Sequence, residues 1–140
     1  MSNLEVKIFT SQESPMADIK SVYLKCSWGW GNEAKVERAM SGSFAKIIAY
    51  SDGHPVGFCR VIGDGVYALL VDTMVIPEMK RQGVGRAMME SLLAFLKQEE
   101  FAVVKLMSSE EGKEFYESFG FKVRENHEPG MMLMLGMQAP

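Results

Sequence analysis

The sequence predicts an α+β sandwich: a mixed, mostly antiparallel sheet with helices on both faces. Three observations carry that prediction. Two apolar, β-favouring runs flank Ser51-Asp52-Gly53-His54, a hairpin turn signal, so antiparallel pairing is expected early. An apolar strand, a long amphipathic helix and a second apolar strand follow one another from Val66 to Met107, the order of a parallel pair with a right-handed crossover. The 140 residues, 47% hydrophobic and 24% charged, suit a single domain, 1–140, with enough apolar surface for a core.

The elements follow in order. Val6–Thr10 alternates and ends at a polar stretch, giving a short first strand. Met16 to about Trp28 sets Ile19, Val22, Tyr23 and Cys26 on one helical face. Residues 27–32, SWGWGN, read as a loop carrying two large aromatics, and Asn32 caps a second helix over Glu33–Met40. Phe44–Tyr50 and Pro55–Ile62 are the hairpin strands. Beyond a turn at Gly63-Asp64-Gly65, Val66–Ile76 is apolar on both parities, which predicts a central strand covered on both faces. Gly83–Gln98 is the longest helix, with Val84, Met88, Leu92 and Phe95 in one stripe. Ala102–Met107 is the next strand. Ser108 or Ser109 caps a helix running to about Phe119, where Gly120 stops it. Phe121–Arg124 and Met131–Gly136 are expected to close the sheet as an antiparallel pair around a turn at Asn126–Gly130.

Composition narrows the function. A net charge of −3 argues against a nucleic-acid partner, because a phosphate-binding surface is normally basic throughout. No apolar run is long enough to span a bilayer, so no membrane partner is expected. The two cysteines, Cys26 and Cys59, have neither metal-ligand spacing nor a disulfide framework, so no metal is expected and a reduced, cytoplasmic setting is the simplest account. The first residues lack the basic-then-apolar order of a signal peptide. The 12 methionines read as flexible core filling.

One stretch asks for a ligand. Residues 80–89, KRQGVGRAMM, start a helix with three cations, Lys80, Arg81 and Arg86, and no acidic residue before Glu90. A helix start is already positive, because its first N–H groups lack partners and the peptide dipoles align. Gly83 and Gly85 let a ligand approach the backbone, and successive amides in such a turn form an anion cradle. The loop follows a central strand at its carboxyl end, where open sheets bind ligands. A Walker A loop would need Lys-Ser/Thr after the glycine, and Arg86-Ala87 stands there after Gly85. A dinucleotide fingerprint fails too, since Met88 occupies its third small position. A pyrophosphate satisfies what remains.

The stretch VDTMVIPEMKRQGVGRAMMESLL (71–93), followed by EFYESFGF (114–121), resembles the GCN5-related N-acetyltransferase (GNAT) superfamily. Its motif Gln/Arg-x-x-Gly-x-Gly/Ala is matched by residues 80–85, with Lys80 departing from the usual Arg or Gln; the charge survives and the planar donor fork does not. Its aromatic–Tyr pair and closing Gly-Phe are matched by Phe115-Tyr116 and Gly120-Phe121. GFCRVIGDG (57–65) and PGMMLM (129–134) are most similar to the serotonin N-acetyltransferase branch of bacteria and plastids. The resemblance implies acetyl-CoA as cosubstrate. It implies a bulged strand splayed from its parallel neighbour, with the backbone of Met74, Val75 and Ile76 on the pantetheine arm. It also implies the amides of Arg81, Gln82, Gly83, Val84, Gly85 and Arg86 on the phosphates, beside Lys80. Ser109 stands where many relatives carry an Asn facing the cofactor arm, and Tyr116 beside the CoA sulfur.

Acetylating an amine requires loss of a proton from nitrogen, polarisation of the thioester carbonyl and stabilisation of the leaving thiolate. Tyr116, a phenol that is protonated at neutral pH, is the candidate acid. Met74 is the candidate backbone donor to the carbonyl. Asp72, the one carboxylate within Val66–Ile76, is a candidate base or a structural carboxylate; the two readings stand level. Cys26 and Cys59 are read as core thiols, and His54 and His127 as solvated turn residues. The acceptor wall is expected from Tyr23, Trp28 and Trp30, with Glu33 or Glu37 to hold an ammonium, which suits a small-molecule amine. A protein or peptide amine, or an acyl-CoA sensor without turnover, are the alternatives, and a homodimer is left open.

Overall fold

The turn at Ser51–His54 closes as expected. Asp52 and Gly53 both take positive φ, 50° and 82°, the left-handed pair that a two-residue hairpin turn needs. It joins β2 (Ala45–Ser51) to β3 (His54–Gly63) in antiparallel register. The structure, a computed structural model, describes residues 3–10, 12–124 and 130–135. They fall into two compact units, one ending at Met107 and one beginning at Ser108.

In the first unit, β1 (Leu4–Thr10) pairs antiparallel with β2, β4 (Tyr67–Val75) antiparallel with β3, and β5 (Val103–Leu106) parallel with β4. The order is β1-β2-β3-β4-β5, the mixed, mostly antiparallel sheet that the sequence predicts. The helices are α1 (Met16–Lys25), α2 (Glu33–Ser41) and α3 (Val84–Gln98). They cover both faces, and adjacent residues of β3 show it. A Cβ on Gly57 would stand 3.0 Å from Val84 and 3.1 Å from Met88 of α3, whereas the ring of Phe58 packs against Tyr23 of α1. Successive strand residues point to opposite faces, so α1 and α3 sandwich the sheet. Asn32 caps α2, its side chain accepting from the Lys35 amide at 3.1 Å.

The strand buried along its whole length is β2, not β4. In the first half of β4, Ala68 and Leu70 are buried while Tyr67 and Leu69 are exposed. The expected cover on both faces fails there, because an apolar-on-both-parities run carries no record of which face is packed. β2 even buries Lys46, whose ammonium donates to the Ser14 hydroxyl at 2.9 Å and the Met40 carbonyl at 3.1 Å.

In the second unit the expected helix from Ser108 or Ser109 shrinks to α4 (Lys113–Glu117), preceded by a turn. The expected closing strands are absent among the described residues: 121–124 and 130–135 form no ladder, and Met131, Met132, Leu133 and Leu135 are strongly exposed. A lone hairpin is marginal in water, and Met131–Leu135 has no polar alternation to fix a face. Most of the expected turn at Asn126–Gly130, His127 and Gly136 lie outside the described residues. Among the described residues no helix is long and apolar enough to cross a membrane.

Candidate active site

The site of the first unit begins with a fault in the sheet. Phe58 faces Met74 and Arg60 faces Val71, so Asp72 and Thr73 together stand opposite Cys59 alone. That extra residue is a β-bulge. Asp72 takes the left-handed conformation, φ 51°, which Asp tolerates better than most residues. Pairing of β4 with β5 runs from Tyr67–Val103 to Leu70–Leu106 and stops. From Val71 onward β4 has no strand partner on that side among the described residues. This is the bulged strand that the resemblance implies, and the part of it beyond Leu70 is unpaired on the β5 side because β5 ends at Leu106.

The ladder also fixes which amides face the gap. Ile76 donates its N–H to the Val56 carbonyl at 2.9 Å. By strand alternation Met74, two residues earlier, turns its N–H to β3 as well, and Val75 turns the other way. The expectation that Met74 offers its N–H to a ligand in the gap is therefore corrected: Val75, and Thr73 of the same parity, face the open side. Sequence reasoning missed this because parity across a bulge depends on where the extra residue sits.

A single 3-10 turn, Pro77–Met79, leads into the glycine loop. Arg81 and Gly83 both have positive φ, 64° and 85°. Gly83 is the N-cap of α3; no side chain caps the helix and its first turn holds no acidic residue. Lys80, Arg81, Gln82 and Gly83 are exposed, as is Arg86, while Val84 is buried in the core. The side-chain amide of Gln82 donates to the Glu78 carbonyl at 3.1 Å and ties the loop to the turn before it. A left-handed glycine opening an uncapped, cation-rimmed helix is a nest for an anion.

Across the bulge lies an aromatic wall. The Tyr23 ring meets Trp28 at 6.0 Å and Trp30 at 5.2 Å, both edge-on, and Phe58 at 5.6 Å. Trp30 donates its indole N–H to Glu33 at 3.1 Å, and Lys20 pairs with the same carboxylate oxygen at 3.1 Å. The hydrogen bond from Lys20, then that from Trp30, holds the Glu33 carboxyl below the usual range. Glu37 lies elsewhere. With Ser14, Met16, Ala34, Arg38 and Ser41 it lines an open cleft of about 530 Å³ that none of Tyr23, Trp28, Trp30 or Glu33 borders.

Tyr23 also joins the wall to the bulge. Its hydroxyl donates to Asp72 Oδ2 at 2.9 Å, and Arg60 Nε donates to the same oxygen at 2.7 Å. Arg60 reaches on to the Ser43 hydroxyl at 3.2 Å. Burial, then the neighbouring Asp72, pushes the Tyr23 phenol well above its ordinary value, so it stays a donor. Arg60 is the residue that sequence reasoning missed. Its signal was an arginine inside the apolar run Gly57–Ile62 with one carboxylate available on the next strand. Cys59 is fully buried, which pushes its thiol up to about 12, and burial raises Cys26 against the pull of Lys80. Neither is a poised nucleophile. His54 is exposed at the start of β3.

The second unit holds the other two candidates. Ser109 accepts a hydrogen bond from the Gly112 amide at 3.1 Å, so its hydroxyl closes the turn before α4. Tyr116 lies on α4, half-buried, its ring edge-on to Phe115 at 5.2 Å and Phe121 at 5.9 Å. Gly120, at φ 97°, turns the chain back so that the Phe121 amide reaches the Tyr116 carbonyl at 3.3 Å.

Comparison with known proteins agrees with this geometry. The profile of the acetyltransferase (GNAT) domain family matches residues 43–123, more than half of the chain. The chain is 30% identical over 118 residues to serotonin N-acetyltransferase 2, chloroplastic, of Oryza sativa subsp. japonica, covering 81% of this chain and 59% of that protein. The chain spans about half the length of the curated relatives it matches. Its fold superposes on a GNAT-family acetyltransferase of Streptococcus pneumoniae with a TM-score of 0.79 at 27% identity, covering 97% of this chain and all of that one. An aminoglycoside N-acetyltransferase solved in complex with CoA shares the fold, with a TM-score of 0.71 at 14% identity over 98% of this chain and 97% of its own.

Proposed function

We propose that this chain, which belongs to the GNAT acetyltransferase family, carries an acetyl group from acetyl-CoA to the primary amine of a small molecule in one direct step. The observation that supports it most is the start of α3: left-handed Arg81 and Gly83, no capping side chain, no acid in the first turn, and exposed cations around it. The first N–H groups of a helix point along its axis without intrahelical acceptors, so an uncapped start of this kind fits a pyrophosphate. Arg81 to Arg86 hold the phosphates. The gap beyond Leu70 takes the extended pantetheine arm, with the amides of Thr73 and Val75 turned toward it.

The chemistry balances without an enzyme-bound intermediate. The amine, once neutral, attacks the thioester carbonyl with its lone pair, and a C–N bond forms. Negative charge gathers on the carbonyl oxygen, where an open-side amide of β4 stabilises it. The C–S bond breaks and its electrons leave with sulfur. Nitrogen gives one proton to solvent water, and the thiolate takes one from the Tyr116 hydroxyl, which solvent restores. The products are an amide and free CoA.

The acceptor wall favours a monoamine with an apolar or aromatic body. Tyr23, Trp28 and Trp30 supply edges and faces, and the two carboxylates hydrogen-bonded to the wall already have cations: Asp72 has Arg60, and Glu33 has Lys20. A polycation would find no unpaired negative charge on either.

Titration calorimetry with acetyl-CoA tests the cradle. Gly83→Val should abolish binding, because a side chain strains the left-handed N-cap and stands where the phosphate approaches. Arg81→Ala should weaken binding by a factor that shrinks as salt is added. Unchanged affinity in both variants would remove the assignment.

A further inference from the structure

We infer that Arg60, Asp72 and Tyr23 form a clamp that fixes the β4 bulge and so aims the open-side amides of Thr73 and Val75; Asp72 is a positioning residue and not the base. It deepens the acetyl-transfer reading and rests on it for its kinetic arm alone. Asp72 is the residue at which β4 breaks register and enters the left-handed region, and such backbone persists only where its surroundings hold it. Three elements do so. Arg60 comes from β3, one residue past Cys59 and opposite Val71, Tyr23 comes from α1, and Arg60 is itself steadied by Ser43 beyond the end of α2. Both donors meet one oxygen, Oδ2, at 2.7 and 2.9 Å. The side chains of Arg60 and Asp72 are only 16% and 25% exposed, so water competes weakly for these bonds.

A base needs a carboxylate ready to take a proton from substrate. This one is engaged by a guanidinium and a phenol, an arrangement suited to holding a backbone in place. Tyr23 adds a second consequence. Its ring carries the edge contacts to Trp28 and Trp30, so the residue that lines the acceptor wall also holds the bulge. Order in the acceptor loop and aim of the amide donors are tied through one side chain.

Arg60→Met, Asp72→Asn and the double variant test the clamp by two readouts. The first is amide hydrogen exchange, which needs no substrate. The clamp predicts that exchange at Met74 and Ile76, the amides turned to β3 beside the bulge, rises at least tenfold in each single variant, while amides of β2 and α3 keep their wild-type protection. Unchanged protection at Met74 and Ile76 would overturn it, and so would a uniform rise across the sheet, the mark of general destabilisation. The second readout is turnover. Each single variant should lose roughly tenfold to hundredfold in kcat through misaimed groups. The double variant should be no worse than the worse single one, because the residues act as a unit. The shape of the kcat–pH profile and the KM for acetyl-CoA should stay near wild type. If Asp72→Asn erases the acidic limb of the profile, or Arg60→Met displaces it, Asp72 is the base and the clamp fails. Wild-type protein that turns over no amine would sink the acetyl-transfer reading and leave the exchange result to decide the clamp.

Discussion

At the scale of the residue, the sharpest claim concerns one hydroxyl. Tyr116→Phe keeps the ring contacts to Phe115 and Phe121 and removes the hydroxyl proposed as the acid. Turnover should fall by roughly 100-fold or more, the usual scale for general-acid catalysis, with acetyl-CoA affinity nearly unchanged. A structural tyrosine would instead lower the melting temperature and spare turnover per folded molecule. The uncapped, glycine-opened start of α3 was legible in the sequence because residue types at fixed spacing mark it, while the role of Tyr116 rests on the resemblance. Arg60 was not, because its role exists only once β3 and β4 pair and bring it to Asp72. Nor was the orientation of the Met74 amide, which depends on a bulge that adds a residue without marking it. The carboxylate of Glu33, expected to hold an ammonium, is paired with Lys20 from thirteen residues upstream, a partner that no local pattern indicates.

At the scale of the element, α3 must sit close to β3 for its first turn to reach the gap. Gly57 makes that approach possible: a Cβ there would meet Val84, the first residue of α3, at 3.0 Å and the end of Met88 at 3.1 Å. Gly57→Ala should cost less than a larger residue but not nothing, since the buried, β-branched Val84 must give by a few tenths of an ångström even where the Met88 thioether moves. Gly57→Val should cost about 1–3 kcal/mol by overpacking and, by lifting the start of α3, should also weaken acetyl-CoA binding. Urea midpoints and calorimetry on the same variants check both effects; a loss of stability with full affinity would mean that the loop does not depend on this contact. Strong periodicity made α3 readable to within a residue, and Asp52-Gly53 made the hairpin readable. The second unit was read too regularly. The helix expected from Ser108 or Ser109 is one short turn of α4, because its first residues form the Ser109–Gly112 turn instead. The strands at 121–124 and 131–136 were inferred as a pair around an expected turn at 126–130, and a methionine-rich run without alternation specifies no register.

At the scale of the whole molecule, buried neutral groups set the alkaline limit of stability. Burial raises both Cys59 and Tyr23 in the folded protein. Each therefore favours the folded state fully below its unfolded value, about 8.5 for a thiol and about 10 for a phenol. Above those values the unfolded chain releases protons that the folded chain keeps, and stability falls by up to about 1.4 kcal/mol per pH unit per group. Lys46 works the other way. Burial lowers its value, so its cost to the fold is relieved as pH rises toward the ordinary lysine range near 10.4. Urea midpoints between pH 7 and 11 should begin to fall near pH 9, and Cys59→Ala should delay that onset; a variant with the wild-type profile would refute the assignment. The central claim concerns the whole chain acting on two substrates. Wild-type protein mixed with acetyl-CoA and a panel of amines, read by free-thiol release and by mass of the product amide, tests it most directly. The account predicts saturable release with small monoamines bearing an apolar or aromatic body, and much weaker release with polycations or peptide amines. Tight acetyl-CoA binding with no thiol release from any amine would contradict it, and so would turnover confined to peptide amines.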